Sequence, residues 1–196
     1  MSFFKGTQRF NNIFEMALYA ICAGAGIYYA LQGIYTKCFQ AALIITVLLL
    51  FRGLIAWTKS ELSSPLRFSI LLFITITMLI ANLFNMYDVI PYLDKIEHLL
   101  SGVILFYVGL FIYEKMTKQM HSVSIPPHLA IWFAFFFSTA MAGVWEIYEF
   151  TIDQLFGTVS QNNSLQDTMG DIICGTTGAL ATVIFQFVVT RKKQNT

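Results

Sequence analysis

The sequence predicts an all-α, polytopic membrane bundle of about six transmembrane helices. Composition is the first reason: 57% of the 196 residues are hydrophobic and 12% are charged, against about a quarter charged in an ordinary soluble domain. Span length is the second, because six apolar runs approach the roughly 20 residues that cross a hydrocarbon core of about 30 Å. Charge placement is the third, since acids and bases gather at opposite ends of those runs.

The expected spans are 13–35, 38–57, 66–87, 97–114, 129–150 and 168–190, forming one integral membrane domain. Glu15 follows Phe14 without a small-residue cleavage site, so the first run reads as a retained span and not a signal peptide. Cys22, Cys38 and Cys174 show no CxxC spacing and read as small apolar residues. Trp57, Trp132 and Trp145 fall near span ends, as interfacial anchors do. The run "FAFFF" (133–137) reads as lipid-facing or packing bulk.

With six spans both termini share a side. That side carries Lys5, Arg9, Lys59, Arg67, Lys115, Lys118 and Arg191, Lys192 and Lys193, whereas only Lys37 and Lys95 fall opposite. The positive-inside rule then places both termini in the cytoplasm. Arg52 is expected to snorkel to that surface. His121 and His128, in the inner loop, read as solvated. A net charge of +1, without a basic patch interleaved with aromatics, argues against nucleic-acid binding.

Acids show the reverse asymmetry, with Asp88, Asp94, Glu97, Glu146, Glu149, Asp153, Asp167 and Asp171 at the outer end. Glu146, Glu149 and Asp153, in "GVWEIYEFTID" (143–153), are spaced by three and four residues and share one helix face. Asp94 and His98 are four apart in "YLDKIEHLLSG" (92–102), and Asp167 and Asp171 are four apart in "LQDTMGDIICGTTGA" (165–179). Small residues lie beneath each group: Ser101 and Gly102; Thr139, Ala142 and Gly143; Gly175, Gly178 and Ala179. Such stripes let membrane helices approach closely, so three helices are expected to meet with their acids lining a cavity.

Helix capping accounts for part of the pattern, since Asp94-x-x-Glu97 and Ser164-x-x-Asp167 resemble capping boxes. It does not account for Asp171, one turn deeper, or for Glu146 and Glu149 near a helix C-terminus, where the macrodipole disfavours acids. Glu146 lies roughly 26 Å along the fifth span at about 1.5 Å per residue, near the outer interface. One imidazole among several carboxylates suits a divalent cation, Mg²⁺, Mn²⁺, Fe²⁺ or Zn²⁺. Asp94, His98, Glu146 and Asp171 are the expected ligands, leaving Glu149 or Asp167 as general base on a metal-bound water. A carboxyl–histidine network without metal is the structural alternative.

"LDKIEHLLSG", "WEIYEF" and "QDTMGDIICGTTGA" resemble the YjdF-type inner-membrane proteins of bacteria, a family without an established function. The resemblance covers roughly residues 85–180 and singles out Asp94, His98, Glu146, Glu149, Asp167 and Asp171. A looser similarity links the trio to VanZ-like membrane proteins, associated with teicoplanin resistance, whose second and third motifs read E-x-x-Q and D-x-x-x-N. Glu149 and Asp171 stand at those places here. The resemblance implies a multi-pass protein of the bacterial plasma membrane.

Two functions are expected from different classes. One is a metal-dependent hydrolase or transferase acting on a lipid-linked or amphiphilic substrate at the outer leaflet. The other is non-catalytic: an ion- or proton-linked transporter, or a polar lock joining spans four to six. The absence of a convincing repeat between the halves, and of a polar path inward, weighs against transport. The loop "TVSQNNSLQ" (158–166) is polar and reads as flexible; its Asn162-Asn163-Ser164 fits a glycosylation pattern that short sequences meet by chance.

Overall fold

The structure is a computed structural model that describes residues 2–118 and 126–194. His121 lies outside the described residues, and His128 is exposed. Six helices make up the described chain: α1 (Ser2–Leu31), α2 (Tyr35–Trp57), α3 (Ser64–Ile74, continued by a π-helical stretch, Thr75–Leu83), α4 (Leu93–Thr117), α5 (Pro127–Phe156) and α6 (Leu165–Gln194). Each contains an apolar segment long enough to cross a membrane, from 20 residues in α3 with its π continuation to 29 in α5. At about 1.5 Å per residue the 23-residue segment of α2 is about 35 Å, more than one hydrocarbon core. No strand occurs among the described residues.

The fourth helix starts at Leu93, four residues before its expected span, so Asp94 lies inside its first turn. Large apolar side chains such as Leu50, Leu54, Phe136 and Ile184 point outward, as they must when the solvent is lipid. Phe136 is exposed, whereas Phe135 packs on a buried cluster and Phe133 stacks on Phe137. The "FAFFF" run therefore serves both lipid and core. Trp57 ends α2 and is exposed.

The helices divide into two compact units, Met1–Leu93 and Asp94–Thr196. In the first, α1 and α2 form a hairpin. Gly33, at φ +73°, takes the left-handed turn that ends α1, with Ile34 N donating to Tyr29 O and Gly33 N to Ala30 O. The core is a run of Leu18, Cys22, Ile44, Leu48, Leu71 and neighbours. Thr75 and Thr77 each donate a side-chain hydroxyl to the carbonyl four residues back, Leu71 and Phe73. Such back-bonding competes with the α ladder, and α3 widens into its π stretch there.

An ion pair on a buried glutamate crosses this unit. Glu15, 1% exposed, receives Arg67 Nη2 at 2.6 Å and lies 3.7 Å from Arg52 Nη1. Tyr19 also donates to it, and neighbouring Asn11 donates to Ser64 O and Oγ at 2.9 and 3.0 Å. Arg52 thus has a partner on α1 while its side chain stays 59% exposed. An acid within a membrane span requires such a partner.

In the second unit α4, α5 and α6 pack through small residues. A Cβ built on Gly102 would collide with the Gly175 carbonyl, and one on Gly178 with the Leu99 carbonyl. A Cβ on Gly175 would meet Ala142 at 3.0 Å. Ser138 Oγ donates to Gly102 O at 2.8 Å, tying α5 to α4. Farther along, Phe106, Ile131, Ala134 and Val183 form the apolar core. Of the expected small-residue stripes, Gly102, Ala142, Gly175, Gly178 and Ala179 make close inter-helix contacts, Ser101 bonds back to His98 O on its own helix, and the Cβ direction of Gly143 is open.

Candidate functional site

Close packing at Gly102, Gly175 and Gly178 brings together the first turns of α4 and α6, with the last turns of α5 beside them. Asp94 and His98 share a face of α4 by their i, i+4 spacing, and Asp167 and Asp171 do so on α6. Ser164 opens α6 as its cap, accepting from Asp167 N at 3.3 Å. That is half of a capping box, and it explains the position of Asp167 but not of Asp171.

His98 Nε2 lies 3.6 Å from Asp94 Oδ1, 3.6 Å from Asp171 Oδ1 and 3.9 Å from Glu146 Oε1. One ligand atom each from Asp94, His98 and Asp171 falls within a common span of 4.8 Å. Two ligands about 2.1 Å from a tetrahedral ion sit about 3.4 Å apart, and separations of 3.6 Å fit either such a shell or a carboxylate–histidine network without metal. His98, Glu146 and Asp171 are buried, and Asp94 opens to solvent with 40% of its side chain exposed. Glu146 Oε1 is buried without a hydrogen bond. Buried carboxylates this close repel unless a proton or cation is shared.

Lys95 supplies one cation. Its Nζ lies 2.7 Å from Asp171 Oδ1, 2.7 Å from Asp167 Oδ1 and 3.3 Å from Asp94 Oδ2. In the sequence Lys95 stands out only as one of two bases, with Lys37, on the outer side. As the one Lys or Arg in 92–102 and 143–171, it was the charge those acids had to draw in.

The other candidates are placed differently. Asp167 has both oxygens engaged, Oδ1 by Lys95 and Oδ2 by Asn162 Nδ2 at 2.9 Å. Glu149 is half-buried, and its Oε1 accepts from Trp145 Nε1 at 2.9 Å. Asp153 holds the following loop, accepting from Thr158 Oγ1 at 2.5 Å, Ser160 N at 2.8 Å and Gln161 N at 3.0 Å. Gln161 in turn donates to the Glu146 carbonyl and carboxylate at 3.1 and 3.2 Å. The loop that reads as flexible is thus tied to α5 at Asp153 and Glu146, and to α6 at Asp167. Gly157, at φ +68°, ends α5 and starts the loop back.

A family model described as "Predicted membrane protein (DUF2238)" matches residues 14–192. An "Uncharacterized protein" of Thermotoga maritima is 33% identical over 89 residues, 45% of this chain and 44% of the relative. The matched part is thus under half of that relative's length. No solved structure matches the chain.

Proposed function

The chain belongs to the DUF2238 family of predicted membrane proteins, and we propose that its α4–α5–α6 rim binds a divalent cation and uses it in a hydrolase or transferase reaction on a lipid-linked or amphiphilic substrate. The observation that carries this is His98 Nε2 at 3.6 Å from one oxygen each of Asp94 and Asp171, with the unbonded Glu146 Oε1 at 3.9 Å. Asp94, His98 and Asp171 hold the ion, and Glu146 is its fourth ligand. Mg²⁺, Mn²⁺, Fe²⁺ and Zn²⁺ all accept this donor set. A bound cation would polarise a water or a substrate oxygen. Glu149, one turn beyond Glu146 and less encumbered than Asp167, is the general base. Exposed apolar side chains on α5 and α6, Ile147, Phe150, Met169 and Ile173 among them, support a site open to lipid and hence an amphiphilic substrate. The charge asymmetry of the loops favours both termini cytoplasmic and this rim outside, and the resemblance to bacterial inner-membrane proteins favours a bacterial plasma membrane.

The test is metal content. Wild type purified in detergent and equilibrated with each of the four metals in turn is expected to retain one ion per chain with at least one of them, and His98→Ala none. Failure of all four to bind wild type would falsify the proposal.

A structural lock is the second reading, favoured by Lys95. Its short contacts to Asp167 and Asp171 already join α4 to α6. On that reading Glu146→Gln and Asp171→Asn lower thermal stability and change no metal content.

A further inference from the structure

Among the described residues of 92–102 and 143–171, Lys95 is the one Lys or Arg, and so the one permanent cation these segments offer to an anionic group. Yet its protons are committed. An ammonium has three donors, and Nζ faces Asp167 Oδ1, Asp171 Oδ1, Asp94 Oδ2 and the Asp167 carbonyl at 2.7, 2.7, 3.3 and 3.3 Å. Asp171 Oδ1 is also 3.6 Å from His98 Nε2, so one oxygen belongs both to the lysine's shell and to the proposed cation's shell. A divalent ion and an ammonium on the same oxygen repel. The divalent ion has further ligands in Asp94, His98 and Glu146, whose buried Oε1 has no other donor. The ammonium has somewhere to go: the Lys95 side chain is 28% exposed, and it runs over Gly170, where a Cβ would touch its Cε at 3.5 Å.

We propose that Lys95 is a tethered counter-cation: a divalent ion bound by Asp94, His98 and Asp171 displaces it from Asp171 and Asp94, and the released donors, still anchored at Asp167, bind a phosphate-bearing group. Metal binding therefore precedes and licenses anion binding. This rests on the cation site proposed above. Without the ion, a lysine held by three acids has no donor free for a phosphate.

Two measurements on the detergent-solubilised full chain test it. In wild type, Mn²⁺ is expected to raise reductive methylation of Lys95 several-fold, read by peptide mass spectrometry, with Lys37 unchanged as the internal control. Unchanged or reduced labelling of Lys95 in Mn²⁺-loaded protein overturns the displacement, and needs no variant to fold. In Lys95→Met, Mn²⁺ is expected to bind about tenfold more tightly or better, because a competing charge is gone. Equal Mn²⁺ affinity in wild type and variant refutes the displacement and leaves the metal site standing; no Mn²⁺ binding by either refutes the site itself. Orthophosphate in solution, and phosphatidate in nanodiscs, are then titrated with and without Mn²⁺. Mn²⁺-dependent binding to wild type that is lost in Lys95→Met supports the proposal, and which titrant binds separates a free phosphate from a lipid headgroup. Anion binding that ignores Mn²⁺ or Lys95, or is absent with both anions, overturns it.

Discussion

Gln161 reaches from the α5–α6 loop to Glu146, donating to its backbone oxygen at 3.1 Å and to its Oε2 at 3.2 Å. The buried glutamate is thereby fixed with one oxygen bonded and the other, Oε1, turned toward His98. A loop residue thus orients a carboxylate at the site, and Asp153 orients the loop.

Asp153→Ala is expected to release that loop. It removes the acceptor for Thr158 Oγ1, Ser160 N and Gln161 N. Because this carboxylate faces solvent, the global stability is expected to change little while the loop loses its order. Limited proteolysis should show faster cleavage within 157–164, with helix content by circular dichroism unchanged.

Gly102→Ala is expected to force α4 from α6, since its Cβ would strike the Gly175 carbonyl. Overpacking of this kind costs about 1–3 kcal/mol, and more where backbone is the obstacle. Gly143→Ala meets nothing within 4 Å and gains helix propensity, so it should leave stability unchanged or raise it by up to about 1 kcal/mol. Thermal unfolding followed by tryptophan fluorescence in detergent compares the two.

Glu15→Gln leaves the half-buried Arg67 with Gln8 as a partner but without its acid. Removing one member of a buried pair is strongly destabilising, less so where one partner reaches solvent, whereas replacing both with apolar residues is often neutral or stabilising. Glu15→Gln should therefore lower the unfolding midpoint more than the double variant Glu15→Met with Arg67→Met. The opposite order would mean that the pair contributes little.

Topology has its own readout. Alkaline phosphatase inserted within 157–164 is expected to be active in a bacterial host, while a fluorescent protein fused after Thr196 should fold and fluoresce. The reverse pair of signals would invert the orientation read from the loop charges.

Much of this was legible in the sequence. Span count followed from hydropathy, and the meeting of α4 with α6 followed from glycines placed beneath the acids. What was missed depended on distance along the chain. Glu15 counted as an acid outside the outer group, although alternating spans put the start of α1, the end of α2 and the start of α3 at one depth, where Arg52 and Arg67 wait. The tying of the 157–164 loop was not readable from its polar composition, because the chain turns back at Gly157, in the left-handed region, before Thr158, Ser160 and Gln161 can reach Asp153 and Glu146. The π stretch of α3 carried a weak signal in the i, i+2 pair Thr75 and Thr77. Lys95 was visible, but its role required knowing that Asp167 and Asp171 face it.

The most direct test of the cation site is electron spin-echo envelope modulation of Mn²⁺ bound to the wild-type chain. The expected result is modulation from one imidazole ¹⁴N that disappears in His98→Gln. Bound Mn²⁺ without nitrogen modulation, or modulation that survives the substitution, would contradict ligation by His98 and with it the proposed centre.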